Sequence, residues 1–235
     1  MKLSAPLYHL KRTAKTLSRQ EGIPLHAALD RIAAEEGFKA WSLLAAKAAA
    51  AAPASKLFGR LRPGDLVLLG ARPGHGKTLM SLELAVAAMK AGHRAAFFTL
   101  EYKEKDVWGH LRDLGVDGTR FHELFDLDCS DAISADYIEK KMATAPRGSV
   151  VVADYLQLLD QKRENPPLMA QVRALKTFAR DRGLIVVFIS QIDRSYDPST
   201  KPCPDLEDVR LPNPLDLQLF DKTCFLSNGE VRFQG

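Results

Sequence analysis

The stretch ARPGHGKT, residues 71 to 78, stands between an apolar run and an amphipathic one. Glycines ahead of a lysine and a threonine at a strand-to-helix junction suit one kind of chemistry, the holding of an anion. Successive backbone N–H groups at a helix start converge on one point, and the helix dipole adds positive potential there. The spacing fits the phosphate-loop pattern in its relaxed form, with Ala71 in the first position and Gly76, Lys77 and Thr78 closing it. Arg72, Pro73, Gly74 and His75 make up the turn between, and Gly74 and Gly76 let the backbone approach phosphate oxygens closely. Lys77 is expected to neutralise the β and γ phosphates of ATP, and the Thr78 hydroxyl to bind Mg2+. The plain alternative is an incidental glycine turn, so the decision rests on residues elsewhere.

Three such residues stand at the ends of other apolar runs. Asp154 in VVVADYLQLLD is expected to face the loop from a strand's C-terminal edge and hold Mg2+ through water. Glu101 in FFTLEY is a candidate catalytic base, placed to orient and deprotonate an attacking water. Gln191 in VFISQIDR is a candidate sensor of the γ-phosphate. Each also has a structural reading, a polar strand end meeting solvent, and none of the three alone would separate the two.

The elements that must position these groups are legible from Leu57 onward. Short β-type runs, LVLLG, AAFFTLE, SVVVADYLQLL, LIVVFISQ and KTCFL, alternate with helical patterns such as KTLMSLELAVAAMKAG and PLMAQVRALKTFARDRG. That alternation predicts an α/β fold, a mostly parallel sheet with crossover helices, and near-continuous apolar strands predict burial on both faces. Phe97, Phe98 and Trp108 read as core. Residues 1–52 form a separate helical region. Leu10, Ala14 and Leu17 share a face, a second helix runs from Pro24 to Gly37 with Leu25, Leu29 and Ile32 inward, and a third begins at Phe38, Trp41 and Leu44. Residues 53–56 read as the linker, with Pro53 as breaker, and 57–235 as the nucleotide-binding domain.

At 235 residues the chain suffices for one full core and a small appendage. The apolar and charged fractions, 46% and 26%, disfavour disordered and fibrous classes. Cys129, Cys203 and Cys224 lie far apart without C-x-x-C spacing, which suggests neither a disulfide framework nor a zinc site and fits a cytoplasmic protein. Lys47 and Pro53 interrupt the alanine-rich run at 45–52, and the first residues lack a continuous apolar segment, so no membrane span or signal peptide is expected. A GTPase is disfavoured because no Asn-Lys-x-Asp motif occurs, and a small-molecule kinase because no arginine-rich lid is evident.

GARPGHGKT, FFTLEY, VVVADYLQLL and LKTFARDRGLIVVFISQIDRS, in this order and spacing, resemble the motor domain of the DnaB-type replicative helicases, a branch of the RecA-like ATPases. The likeness spans residues 70 to 195 and continues more weakly through PDLEDVR to FDKTCFL. DYLQLL is its most family-specific part. The resemblance implies a RecA-like P-loop fold and an Mg2+-dependent ATPase acting on or near DNA. It makes Lys77 and Thr78 the nucleotide and magnesium residues, Asp154 the second metal residue, Glu101 the base, and Gln191 the link between γ-phosphate and DNA-facing loops. A regulatory ATP-binding interaction module without helicase activity is the alternative.

The chain also departs from that pattern. Gly74 and His75 stand where the family has serine and methionine, and residues 7 to 51 do not resemble the family's N-terminal collar. The loops expected to touch single-stranded DNA are lightly charged: Lys162 and Arg163 in one, four acids against Lys201 and Arg210 in residues 195–210, with Tyr196 the one aromatic suited to stacking. Cations gather instead at Lys2, Lys11, Arg12, Lys15 and Arg19, a solvated face or a nucleic-acid contact. DnaB-type rings take an arginine finger from a neighbouring subunit near the C-terminus. Here KTCFL leads through SNG into EVRF, Arg232 is the last arginine, and the sequence stops at Gly235 about where that strand would begin. The expectation is slow hydrolysis and poor autonomous unwinding, with a homo-oligomeric ring or a protein partner supplying the cation.

Overall fold

The computed structural model describes residues 3–5, 7–45, 53–114, 116, 121, 123–156, 159, 164–211, 213–227 and 230–235. It divides into two compact units, Met1–Lys56 and Leu57–Gly235.

In the first unit, α1 (Leu7–Glu21) and α2 (Leu25–Glu35) pack together. Leu10 and Ala14 of α1 meet Ala28 and Ile32 of α2, with Leu17, Leu29 and Trp41 partly buried around them. Positions 10, 14 and 17 lie on one face of a 3.6-residue period, which is why this stripe is the buried one. Leu25, expected on the inward stripe of α2, is 41% exposed; the buried set there is Ala28, Ile32 and Ala33. Residues 41–45 are helical, and the Asp30 carboxylate accepts from the Trp41 N–H that opens them. Pro53 begins a short helix, α3 (Pro53–Phe58), where a linker was expected. A proline at a helix start loses no hydrogen bond, since that N–H has no intrahelical partner anyway.

The second unit is a seven-stranded sheet. Its strands are β1 (Leu66–Ala71), β2 (Ala95–Thr99), β3 (Phe125–Asp128), β4 (Val150–Asp154), β5 (Ile185–Gln191), β6 (Lys222–Ser227) and β7 (Glu230–Gln234), in the order β3-β2-β4-β5-β1-β6-β7. All neighbours are parallel except the β6–β7 pair. Between the strands run α4 (Lys77–Lys90), α5 (Glu104–Asp113), α6 (Ala135–Met142) and α7 (Leu168–Arg182). α4 packs on β1, β2, β4 and β5. α6 and α7 cover a core that includes Leu66, Leu68, Phe98, Val151, Ala153, Val186 and Phe188. Side chains alternate along a strand, so Asp154 and Gln191 fall on the face opposite Ala153 and Phe188, the face of α4. β1 and β4 are buried throughout, as a doubly covered parallel sheet requires.

The sequence pattern missed β3, α5 and α6. β3 is a four-residue edge strand holding Asp126 and Asp128, so no apolar run marks it. Trp108 is a correction as well: it is half-buried, its ring edge-on to Phe125 at 5.5 Å and its indole N–H donated to Glu104. The SNG turn lies partly outside the described residues.

Candidate functional site

β1 ends at Ala71, Arg72 to Gly76 make the turn, and α4 starts at Lys77. The turn closes on itself through a hydrogen bond from the His75 N–H to the Arg72 carbonyl, and the Met80 N–H reaches back to Gly76. Gly74 and Gly76 have φ of +80° and +81°, and an added Cβ at either would meet nothing within 4 Å. Glycine is needed there for its left-handed backbone rather than for space. His75 is half-buried, whereas Pro73 and Gly74 are exposed at the tip.

Register delivers the remaining groups to the same sheet edge. Ala71 pairs with Gln191, so the carboxamide at the end of β5 lies beside the start of the turn. Thr99 pairs with Asp154 across β2 and β4, which sets Glu101 two residues beyond that level. The Thr99 hydroxyl accepts from the Glu101 N–H at 3.1 Å and fixes the bend that carries the glutamate. Gly70, just before the turn, packs so tightly that a Cβ there would meet the Phe225 ring at 2.8 Å, which binds β1 rigidly to β6.

Two polar contacts join these elements. The Lys77 ammonium lies 3.4 Å from a Glu101 carboxylate oxygen, the two side chains being 11% and 28% exposed. The Thr78 hydroxyl donates to Asp154 Oδ2 at 3.2 Å, while Asp154 Oδ1 is buried and has no partner among the described residues. Burial pushes the Asp154 carboxyl up to about 7, and the nearby Glu101 charge pushes the same way; the Lys77 ammonium and the Thr78 hydroxyl pull against them. A buried carboxylate with one oxygen unpaired is a costly arrangement unless something else completes it.

The structure thus brings Lys77, Thr78, Glu101 and Asp154 into one cluster at the turn and sets Gln191 at the adjoining strand end, on the side of the sheet that faces α4. Two residues were missed from the sequence. Thr99 had a signal, a hydroxyl in an otherwise apolar strand. Gln171 had none, because a polar residue on α7 reads as solvent-facing. It is buried, donates to the Leu159 and Pro166 carbonyls at 2.6 and 2.7 Å, and accepts from the Ala135 N–H at 3.0 Å. It therefore fastens the chain that leaves β4 just past Asp154.

The loop expected to face DNA after β5 is internally satisfied. Lys201 is 2.7 Å from both Asp205 and Asp208, and Asp205 and Asp208 form a reciprocal cap. Tyr196, expected to be free for stacking, is 6% exposed and donates its hydroxyl to the Lys201 carbonyl. It packs against the core with Phe220 and Leu215 instead. Lys162 and Arg163, of the other loop, lie outside the described residues.

A parallel sheet ordered β3-β2-β4-β5-β1, a glycine turn feeding α4, and carboxylates at the ends of β2 and β4 define a RecA-like P-loop ATPase fold. The family model described as "ATPase: KaiC" matches residues 29–207, and the chain belongs to that family. Its relatives carry the likeness to DnaB-type motor domains read from the sequence. The replicative DNA helicase DnaB of Mycoplasma genitalium is 24% identical over 184 residues, 63% of this chain and 39% of that protein. DnaB of Pasteurella multocida is 27% identical over 207 residues, 73% of this chain and 44% of that protein. The chain thus spans about two fifths of the length of the curated relatives it matches. Among solved structures, a DnaB-like replicative helicase superposes with a TM-score of 0.58 at 20% identity, covering 92% of this chain and 65% of that one. A KaiC-like protein of the archaeon Pyrococcus horikoshii gives 0.52 at 17% identity, covering 73% and 76%. Among the described residues no helix is long and apolar enough to cross a membrane.

Proposed function

We propose that this chain binds and hydrolyses ATP with Mg2+ at the turn between β1 and α4, and couples that cycle to single-stranded nucleic acid. The observation that carries the reading is the convergence of Lys77, Thr78, Asp154 and Glu101, drawn from two strand ends and one helix start, in pairs 3.4 and 3.2 Å apart. The turn's N–H groups and Lys77 would hold the phosphates. Among the described residues no group of three or more His, Cys, Asp or Glu makes a metal cage. Mg2+ prefers instead a few protein oxygens together with phosphates and water. The Thr78 hydroxyl and the unpaired Asp154 Oδ1 fit that demand, and a dication there would offset the burial of the carboxylate. Glu101 would accept the proton of the attacking water once Lys77 turns to the phosphates, and Gln191 would sense the γ-phosphate from the end of β5.

The likeness to DnaB-type motor domains supports a second copy or a partner protein as the source of the cation that stabilises the transition state, an effect of about a thousand-fold or more. The acidic, internally paired loop after β5 favours a second reading, a regulatory module that uses ATP to set assembly without unwinding. Turnover of ATP by the purified chain, with Mg2+ or with EDTA and with or without oligo(dT), tests both. Slow Mg2+-dependent hydrolysis stimulated by oligo(dT) is expected. Tight ATP binding that oligo(dT) leaves unaltered would move the reading to the regulatory module, and absence of ATP binding would remove both.

A further inference from the structure

Charge is distributed unevenly between the two units. Residues 1–56 hold nine lysines and arginines against four acids and so carry +5, while the remainder of the chain nets −1. Much of that excess lies on α1. Lys11, Arg12, Lys15 and Arg19 occupy it, Lys11 half-exposed and the other three exposed, and no acid occurs before its last residue, Glu21. Glu21 is already engaged by Arg31 at 2.6 Å. The four α1 cations make no ion pair among the described residues. Their face is also fixed, because Leu10, Ala14 and Leu17 turn the opposite side of the helix against α2.

The loop after β5 shows the reverse arrangement. Residues 193–210 hold five acids against Arg194, Lys201 and Arg210, and Lys201 is clamped between two of those acids. A phosphate chain approaching that loop meets net negative charge, and it can recruit Lys201 only by breaking both contacts. The ATPase unit's own described surface there does not supply the cations a nucleic-acid contact needs.

We propose that the exposed face of α1, Lys11, Arg12, Lys15 and Arg19, is a sequence-independent grip on the nucleic-acid backbone. The proposal rests on the nucleic-acid reading above and names the surface that reading lacks. Lys11, Lys15 and Arg19 recur every four residues, about 6 Å along the helix axis. In a strand stacked as in a duplex, phosphates follow each other at about 3.4 Å of rise, so one cation would serve roughly every second phosphate, and in a more extended strand the match is closer to one for one. An anionic lipid surface is the disfavoured occupant. Interfacial helices insert an apolar face into the bilayer, and the apolar face of α1 is taken by α2. What remains is charge with regular spacing, which matches a polyphosphate chain.

The test uses the full chain without nucleotide, fluorescein-labelled 30-nucleotide oligo(dT), and a salt series in KCl. Lys11→Gln/Lys15→Gln/Arg19→Gln is expected to weaken binding tenfold or more at low salt. It should also lower the steepness of log affinity against log salt by about 2, from three lost phosphate contacts at ~0.7 each. The charge-keeping variant Lys11→Arg/Lys15→Arg/Arg19→Lys should bind as the unaltered chain does, and Lys201→Gln should change neither affinity nor slope. Unchanged affinity and slope in the triple glutamine variant overturn the proposal while leaving nucleic-acid binding in place. An unaltered chain that binds no oligonucleotide removes the nucleic-acid reading itself. Sedimentation with phosphatidylserine vesicles that is lost in the triple glutamine variant, with oligo(dT) binding intact, would assign the face to a membrane surface.

Discussion

Glu101→Gln is expected to tighten ADP binding while abolishing turnover, and the two effects have separate causes. In the structure Lys77 lies 3.4 Å from the Glu101 carboxylate, so a nucleotide must draw the ammonium away from an existing partner. Coulomb attraction at that distance is about 1 kcal/mol in water and about 5 kcal/mol at an effective dielectric of 20. The side chains are 11% and 28% exposed, which sets the pair between those limits. Solvation and screening offset much of the attraction, leaving a net of about 1 kcal/mol. Glutamine keeps the shape, removes the competing charge, and also removes a negative charge from beside the incoming phosphates. Both changes act in one direction, so ADP should bind about three- to tenfold more tightly, with the gain shrinking as salt rises. Turnover should fall roughly a hundred- to ten-thousand-fold, because an amide accepts no proton from water. Calorimetric titration with ADP at two salt concentrations, beside steady-state ATP hydrolysis, reads both quantities. Unchanged or weaker ADP binding would refute the competition between carboxylate and phosphate, and near-normal turnover would refute the role of base.

Asp154 sets a pH dependence. Its carboxyl is raised to about 7 from 3.8, so between those values the folded protein keeps a proton that the unfolded chain has released. Stability of the nucleotide-free protein should therefore fall as pH rises through that window, by at most about 4 kcal/mol. The difference in thermal midpoint between the unaltered chain and Asp154→Asn, followed from pH 4 to 8, should show this decline, and Mg2+ with ADP should flatten it. Parallel curves for the two proteins would place the carboxyl in its ordinary range. Gln171→Leu strands the Pro166 carbonyl and the Ala135 N–H beside the chain leaving β4, and leaves the Leu159 carbonyl with Asn165 as its remaining donor. It should cost roughly 3 kcal/mol in urea unfolding, and a loss under 1 kcal/mol would mean that water replaces the amide.

The framework of the ATPase unit was readable because its strands are buried on both faces and appear as unbroken apolar runs. β1, β2, β4, β5 and β6 were all evident in this way, as were the helices after β1 and before β5. The elements that escaped notice lie at the sheet's periphery. β3 is four residues long and carries two aspartates, so neither length nor alternation gave it away. Residue types and spacing nominated Lys77 and Thr78 at a helix start and Glu101, Asp154 and Gln191 at or just past the ends of apolar strands. Spacing could not give the pairing among them. That Lys77 contacts Glu101 and Thr78 contacts Asp154 depends on β5 lying between β4 and β1, a matter of sheet order. Gln171 was invisible for a related reason: its three partners come from α6, the segment after β4 and the residues just before α7. Composition did foretell a weakly cationic loop after β5. It did not foretell that Lys201 would be enclosed by Asp205 and Asp208 or that Tyr196 would turn inward.

The central claim is that Lys77, at the start of α4, is the fixed cation of an ATP site completed by Thr78, Asp154 and Glu101. Calorimetric titration of ATP with Mg2+ into the full chain and into Lys77→Ala measures it most directly. The unaltered chain should bind saturably, with one nucleotide per chain, and Lys77→Ala should lose a hundredfold or more in affinity while its thermal unfolding without nucleotide stays within a few degrees. Equal affinity in the two proteins would contradict the claim, since an ATP site indifferent to this lysine would have to lie elsewhere in the molecule.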